Sequence, residues 1–322
     1  MNTCMKWLLC VIATCTLSLA QAQTYPSKPI VMVVPLAAGS SLDVVLRIIT
    51  QKMSENMGQQ IVVDNQPGAA GMIGAERFMR AAPDGYTLAA FNDSVLTMVP
   101  NLHKKIAYDP VASFAPVGLM VNNSWTLAAH PSLPAKNVAE LIALAKAKPG
   151  ELNYSSGGNG SPQHVAMELF QSMAGIKLTH VPYKGTTQAT LDVIGGQIPM
   201  MFSGTNAVVN QVREGKLRAL ATGGATRSPL LPNVPTVAES GLPGYEFVTW
   251  MGMFAPLNTP KEIITRVNAE LARALAAPDL QERLAAQGVE IKTSTPEQLA
   301  ALTKARLEQM ARIIKDAGIH IE

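Results

Sequence analysis

Short apolar stretches alternate along the chain with stretches of helical periodicity. Residues 30–35 are a run of strand-forming apolar residues, and Leu42, Val45, Leu46 and Ile49 then recur at the spacing of one helix face. The same change of period returns repeatedly as far as the last helix. This alternation predicts an α/β fold with mainly parallel sheets that are covered by helices on both faces.

A second set of strands and helices begins in the middle of the chain, and the last third is predicted to complete the first set. Apolar runs at 117–121 and 126–129 begin a second set of strands and helices, and strand formers return at 245–254. A length of 322 residues is enough for about two domains. We therefore predict one domain from residues 23–124 and 249–322, a second from residues 125–248, and two hinge crossings between them.

Two segments have the form of a capping box with proline at the first helical position. They are Thr259-Pro-Lys-Glu262 and Thr295-Pro-Glu-Gln298, and each is followed by a helical pattern. Both threonines are therefore predicted to cap a helix of the last third.

The N-terminus has the features of a secretory signal peptide. Lys6 supplies the positive charge, residues 8–20 are apolar, and Ala20-Gln21-Ala22 fits a cleavage site after Ala22. The apolar run is shorter than the roughly 20 residues that span a bilayer. All three cysteines lie in this segment, and neither of the last two follows the small residue that a lipoprotein site would have: Cys4, Cys10 and Cys15. We predict an exported, periplasmic, soluble and cysteine-free mature chain.

Charge and motifs exclude several classes of function. The formal net charge is +3, the signal segment carries only one of the lysines, and no run of basic residues is typical of nucleic-acid binding. The chain lacks the metalloprotease, nucleophile-elbow, dinucleotide and P-loop motifs. Its histidines have no metal-ligand spacing: His103, His130, His164, His180 and His320. We predict a chain that is not an enzyme and has no cofactor or metal.

Two loops share one design, and both are candidates for binding. Residues 36–41 and 155–161 each follow a strand, consist mainly of small residues and precede a helix. Such a loop directs free backbone N–H groups and the positive end of a helix dipole at a ligand, so that it suits an anion such as a carboxylate. Taken singly, each can also be an ordinary strand–helix connection.

Each of four single residues has two possible roles. His164 follows the second loop and can contact a ligand or help to close its turn. Asp93 follows a strand and can contact a hydroxyl or ammonium group, or cap a local turn. The tryptophans Trp125 and Trp250 lie where the chain would cross between domains, and can line a hinge or pack in a core.

Eight segments together resemble the Bug/TctC family of receptors for tripartite tricarboxylate transporters. They span the mature chain in order: VPLAAGSSLD (Val34–Asp43), NQPGAAG (Asn65–Gly71), PDGYTL (Pro83–Leu88), NYSSGGNG (Asn153–Gly160), HVPYKG (His180–Gly185), GKLRAL (Gly215–Leu220), PTVAESGLPG (Pro235–Gly244) and AGI (Ala317–Ile319). The resemblance implies a type II periplasmic-binding-protein fold that closes on a small carboxylate, partly through ordered waters at the two loops. It also implies membrane permease subunits as partners.

The chain departs from the family pattern at the first loop and after a later strand. The family usually reads Pro-Pro-Gly-Gly-Ser-Thr-Asp where residues 37–43 stand, so Ser40 adds a hydroxyl and Leu42 removes one. Members that bind amino acids carry an aspartate where this chain has Ser203. We therefore expect a di- or tricarboxylate or an aromatic acid, unless Asp93 receives an ammonium group instead.

The residues predicted to bind the ligand come from both loops and from positions facing them. They are Leu36, Ala37, Ala38, Gly39, Ser40, Ser41, Asp43, Asp93, Ser94, Ser155, Ser156, Gly157, Gly158, Asn159, Gly160, Ser161, His164, Lys184, Ser203, Thr205 and Asn206. Lys184 either adds positive potential to the cleft or is a solvated surface lysine.

We expect a monomer. Two other functions stay open: a sensor for a membrane kinase with the same fold, and a secreted hydrolase that uses Ser155 or Ser156 with His164.

Overall fold

The computed structural model describes residues 25–319. The predicted signal peptide and His320 lie outside this range. Among the helices of residues 25–319, none has the length and apolarity to cross a membrane.

Strands and helices alternate through the described chain, as predicted. In chain order they are β1 (Ile30–Val34), α1 (Ser41–Met57), β2 (Ile61–Asn65), α2 (Met72–Met79), β3 (Thr87–Asn92), α3 (Asp93–Thr97), α4 (Val99–Leu102), β4 (Phe114–Asn123), β5 (Trp125–Ala129), α5 (Val138–Ala147), β6 (Asn153–Ser156), α6 (Pro162–Ala174), β7 (Thr179–Pro182), α7 (Thr186–Ile194), β8 (Met200–Gly204), α8 (Thr205–Arg213), β9 (Arg218–Thr222), β10 (Thr249–Pro256), α9 (Lys261–Leu275), α10 (Pro278–Ala285), β11 (Val289–Ile291) and α11 (Pro296–Asp316). A 3₁₀ turn at Ala69–Gly71 precedes α2.

The strands form two sheets, and each sheet with the helices that cover it is called a lobe. The first sheet has the order β11-β4-β10-β3-β1-β2, and the second has the order β7-β6-β8-β5-β9. Both faces of each sheet are covered. In β1, for example, Met32 and Val34 pack into one apolar cluster and Val33 into another. This explains why β1 reads as a continuous apolar run and not as an alternating one.

The sheets are mixed, whereas mainly parallel sheets were predicted. Strand β1 pairs in parallel with β2 and β3, but β10 runs antiparallel to β3 and β4. In the second sheet β6 pairs in parallel with β7 and β8, but β5 is antiparallel to β8 and β9. The strands that begin after the chain changes lobe, β5 and β10, run against their neighbours, and strand–helix alternation does not encode this direction.

The chain changes lobe twice between strands. It leaves the first sheet after β4 and enters the second at β5, and it returns between β9 and β10. The last helix adds a further link, because Leu299 in α11 packs on the first sheet while Met310 and Ile314 pack into the core of the second lobe. The domain boundaries given above remain a prediction.

One of the two predicted capping boxes is present. Thr295 accepts a hydrogen bond from the backbone N–H of Gln298, whose side chain accepts one from the backbone of Thr295. The other prediction is wrong, because the hydroxyl of Thr259 donates to the carbonyl oxygen of Pro256 and α9 begins at Lys261 without a side-chain cap.

Candidate ligand-binding site

A cavity lies between the two lobes where the two predicted loops meet. Its lining includes Leu36, Ala37 and Ser41 from the first lobe and Gly157 and Ser203 from the second. The cavity volume is about 30 Å³. This exceeds the roughly 10–15 Å³ that a single water needs on the same scale.

Six helices of the described chain begin at this cavity, each with residues of its first turn or N-cap in the lining. They are α1, α2 and α3 in the first lobe and α6, α7 and α8 in the second. The first N–H groups of a helix have no partner within the helix, and its dipole places partial positive charge there. The cavity therefore has positive potential from the backbone itself. Within the described chain its lining contains no aspartate or glutamate, and Lys184 is exposed at its edge.

Asp43 holds the first loop in place through hydrogen bonds. Its carboxylate accepts hydrogen bonds from the N–H of Gly39 at 2.9 Å, from Nδ2 of Asn65 at 3.0 Å and from Nε of Arg47 at 3.1 Å. Burial opposes the charge, but these hydrogen bonds outweigh it and hold the pKa of Asp43 below its usual value. Asp43 is not part of the lining, so it positions the loop and the backbone above it presents the donors.

Two stacked histidines hold the second loop in the same way. Oγ of Ser156 lies 2.6 Å from Nε2 of His180, and the N–H of Gly160 donates to Nδ1 of His164 at 3.2 Å. The two imidazole rings stack with their centroids 4.2 Å apart. Burial, and for His164 also the neighbouring His180, lowers their pKa values to about 3 for His164 and about 4 for His180. Both rings are therefore neutral near pH 7, and they support the loop from inside the second lobe.

Direct hydrogen bonds join the lobes across the cavity. Oγ of Ser41 donates to Oδ1 of Asn206 at 2.5 Å, and Nδ2 of Asn206 donates to the carbonyl oxygen of Ser41 at 3.2 Å. Oγ1 of Thr187 donates to the carbonyl oxygen of Ala38 at 2.6 Å. The structure therefore has the two loops in a closed arrangement.

Fewer than half of the predicted binding residues line the cavity. Those that do are Leu36, Ala37, Ser40, Ser41, Gly157, Ser161, Lys184 and Ser203. Those that do not are Ala38, Gly39, Asp43, Asp93, Ser94, Ser155, Ser156, Gly158, Asn159, Gly160, His164, Thr205 and Asn206. Most of the second group shape the loops or join the lobes, because their polar groups are already bonded within the protein. The hydroxyl of Ser155, for instance, donates to the carbonyl oxygen of Ala189.

Asp93 is placed away from the cavity. It is fully buried, and its Oδ2 lies 3.5 Å from Nε of Arg306 in α11. Burial raises the pKa of Asp93 to about 7, although Arg306 partly opposes this shift. Asp93 in this position joins α3 to the last helix and does not face a ligand.

The two tryptophans differ in their surroundings. Nε1 of Trp125 donates to Oγ1 of Thr249 at 2.9 Å, which ties the two segments that cross between the lobes, and Trp125 also lines the cavity. Trp250 packs in the core of the first lobe. Trp125 also packs in the core of the second lobe, so both interpretations apply to it, whereas Trp250 fits the core interpretation.

Sequence reasoning missed a third loop and several single positions. Residues 67–71 line the cavity through Pro67, Gly68, Ala70 and Gly71, and further contributions come from Asn92, Asn123, Gln163, Thr186 and Thr249. The third loop follows β2, so the rule applied to the other two loops would have selected it as well.

The arrangement gives no support to hydrolysis. Ser155 and Ser156 are fully buried, and Ser156 contacts His180 and not His164 as proposed. Across residues 25–319 no cluster of three histidine, cysteine or acidic side chains is arranged to hold a metal ion.

Replacing Asp43 by alanine is expected to weaken the first loop. The substitution removes the acceptor of the Gly39 N–H and one of the two acceptors of Nδ2 of Asn65, which costs about 1–3 kcal/mol of unfolding free energy. Urea denaturation measures this loss, and ligand affinity should fall with it. Asp316→Ala, at an exposed position at the end of α11, is the matched control and should change neither value. Unchanged stability of Asp43→Ala would contradict the positioning role.

Two α/β lobes with a cavity between them form the fold of a periplasmic binding protein. Residues 45–319 match the family model described as tripartite tricarboxylate transporter family receptor. The chain therefore belongs to this family of solute-binding receptors, which includes the Bug proteins.

Three solved structures illustrate the similarity. The periplasmic binding protein BugD is 35% identical, with a TM-score of 0.89 over 92% of this chain and 100% of its own. An R. palustris protein determined with adipate is 32% identical, with a TM-score of 0.89 over 92% of this chain and 99% of its own. MatC from Rhodopseudomonas palustris with bound malate is 32% identical, with a TM-score of 0.86 over 90% of this chain and 100% of its own.

Proposed function

We propose that this protein captures a small carboxylate between its lobes and delivers it to the membrane permease subunits of a tripartite tricarboxylate transporter. The observation that carries the proposal is the convergence of helix N-termini from both lobes on one cavity. Backbone N–H groups and aligned dipoles stabilise a carboxylate without any charged side chain in contact with it. The ligands in two of the similar solved structures, adipate and malate, are small dicarboxylates and support this choice.

The ligand has no ammonium group. An ammonium buried in the cavity would need an acidic partner, and the described lining supplies none. Ser203 occupies the position where an aspartate is expected for amino acids, and Asp93 is engaged with Arg306. A dicarboxylate, a tricarboxylate or an aromatic acid meets these conditions.

Binding proceeds by hinge closure and without chemical change. The cross-lobe hydrogen bonds of Ser41, Asn206 and Thr187 exist only when the loops meet, so they favour the closed form together with the ligand. A ligand shifts this equilibrium by its difference in affinity for the two forms. The segments around Trp125 and Thr249 form the hinge.

The protein works in the periplasm as a monomer after cleavage behind Ala22. Its N-terminal sequence and the periplasmic relative BugD support this location. Crosslinking in intact cells identifies the membrane partner. Capture of permease subunits supports a role in transport, whereas capture of a membrane kinase shows that the protein is a sensor.

A thermal-shift screen of the mature chain from Gln23 tests the ligand class. Mono-, di- and tricarboxylates, aromatic acids and amino acids are each added to the purified protein. A ligand at about 100 times its Kd adds about 2.7 kcal/mol of stability, which is readily measured. Stabilisation by amino acids alone would overturn the argument from Ser203, and no stabilisation by any carboxylate would overturn the proposal itself.

A further inference from the structure

Asn123 presents an unpaired amide to the cavity. The side chain is 1% exposed, it lines the cavity, and neither Oδ1 nor Nδ2 has a hydrogen-bond partner among the described residues. Buried polar groups are nearly always paired in folded proteins, so an unpaired amide at a binding cavity indicates a partner that the ligand, or a water bound with it, supplies. Since both atoms are unpaired, this holds whichever way the amide is turned.

Gln163 presents a second unpaired acceptor. Its Nε2 donates to Oγ1 of Thr186 at 2.9 Å, while its buried Oε1 has no partner in the described chain. The hydroxyl of Ser203 is also buried and unpaired. The cavity therefore combines N–H donors at the helix starts with neutral side-chain acceptors.

Donors and acceptors place different demands on the ligand. A carboxylate accepts hydrogen bonds from the helix N-termini but has nothing to donate to Asn123 or Gln163. An ammonium group would donate, but amide oxygens do not offset its charge as a carboxylate would. A hydroxyl group is neutral, donates one hydrogen bond and accepts others, and so it matches both atoms of the Asn123 amide.

We infer that the ligand is a hydroxycarboxylate, whose hydroxyl group is recognised by Asn123 with Gln163 as a second acceptor. The inference rests on the proposed function, since it assumes that a carboxylate occupies the same cavity. A site built to bind a hydroxyl discriminates strongly against the analogue without it, because the protein groups are then left unpaired.

Matched ligand pairs test the inference by calorimetry on the mature chain. The pairs differ by one hydroxyl: malate and succinate, citrate and tricarballylate, lactate and propionate. In the pair that fits the cavity, the hydroxylated member should bind about 10- to 100-fold more tightly. Asn123→Leu should remove most of this ratio by weakening the hydroxylated member selectively.

A neighbouring asparagine supplies the control. Asn122 lies outside the cavity lining and its Nδ2 donates to Glu290, so Asn122→Leu should keep the ratio of the wild type. If Asn123→Leu does not fold, Asn123→Ala replaces it and should have the same effect on the ratio.

The outcomes separate the inference from the proposed function. Equal binding within the pairs, or a ratio that Asn123→Leu leaves unchanged, overturns the hydroxyl assignment while carboxylate binding stands. Absence of binding by every carboxylate in these pairs and in the wider screen overturns the proposed function, and the hydroxyl assignment with it.

Discussion

Replacing Gly204 by alanine is expected to prevent closure of the lobes and to lower ligand affinity about 10- to 100-fold. A Cβ at Gly204 would lie 2.8 Å from Cβ and 2.9 Å from Oγ of Ser41, and 3.0 Å from Nδ2 of Asn123. Gly204 belongs to the second lobe and both neighbours to the first, so the overlap exists only when the lobes meet. Overpacking of this kind costs about 1–3 kcal/mol, and about 1.4 kcal/mol is a tenfold change in affinity.

Two measurements separate blocked closure from misfolding. Thermal unfolding of the ligand-free variant should stay close to the wild type, while small-angle scattering should no longer record compaction on addition of the stabilising carboxylate. Gly195→Ala is the control, since its Cβ would come no closer than 3.4 Å to the carbonyl oxygen of Leu191 and its φ of −78° suits any residue. Adding Ser41→Gly to the variant removes two of the three overlaps and should restore part of the affinity. Wild-type affinity in Gly204→Ala would contradict binding by hinge closure.

The order of strands and helices could be predicted from the sequence because it depends on local periodicity. Strand β1 and helix α1 are defined by apolar residues at the right intervals, and the loop between them by small residues. Strand direction could not be predicted where the chain changes lobe. The direction of β5 and β10 depends on which sheet receives them after the crossing, and this is decided by contacts distant in sequence.

The loops of the site could be predicted, but the orientation of their side chains could not. Ser156 turns inward because His180, 24 residues later, is there to meet its hydroxyl. Asp93 turns away from the cavity because Arg306 approaches from the last helix. In each case the side chain's partner, His180 or Arg306, is far away in the sequence and cannot be predicted from the local pattern.

The backbone N–H donors of the loops do not depend on which side chains the loops carry. The first loop differs from the family pattern at several positions, yet its N–H groups are presented by the start of α1 and by the support of Asp43. Donors of this kind depend on backbone geometry and tolerate changes of side chain. Identity of the ligand therefore depends on the single polar side chains that line the cavity.

Acidification is expected to destabilise the protein through the stacked histidines. In the unfolded chain a histidine has a pKa near 6.5, whereas in the folded protein burial lowers the pKa to about 3 for His164 and about 4 for His180. Their contribution to stability is fully present above about pH 6.5. As the pH falls towards 4 the unfolded chain takes up protons first, so each histidine removes about 1.4 kcal/mol per pH unit.

Urea denaturation at pH 7, 6 and 5 measures this slope, and the variant His164→Gln/His180→Gln should flatten it. Asp93 acts in the opposite direction, since its raised pKa favours the folded state as the pH falls from about 7 towards 4. Its contribution is common to wild type and variant and cancels in their difference. His130→Gln, outside the stacked pair, should keep the slope of the wild type, and parallel curves for wild type and double variant would show that the stacked rings are not the cause.

The second loop depends on two neutral histidines, whereas the first loop depends on an ionised aspartate. The second loop loses its support when His164 and His180 become protonated, because each would then carry a charge beside the other at a ring distance of 4.2 Å. Asp43, which supports the first loop, has a pKa below the usual value of an aspartate, because its hydrogen bonds outweigh the effect of burial. Since Glu168 lies 4.0 Å from Nε2 of His164, it offers the only acidic neighbour within salt-bridge distance of the pair in the described residues. Both rings stay neutral in the folded protein down to about pH 4, so ligand affinity should be similar at pH 7 and pH 5, which titration of the stabilising carboxylate measures.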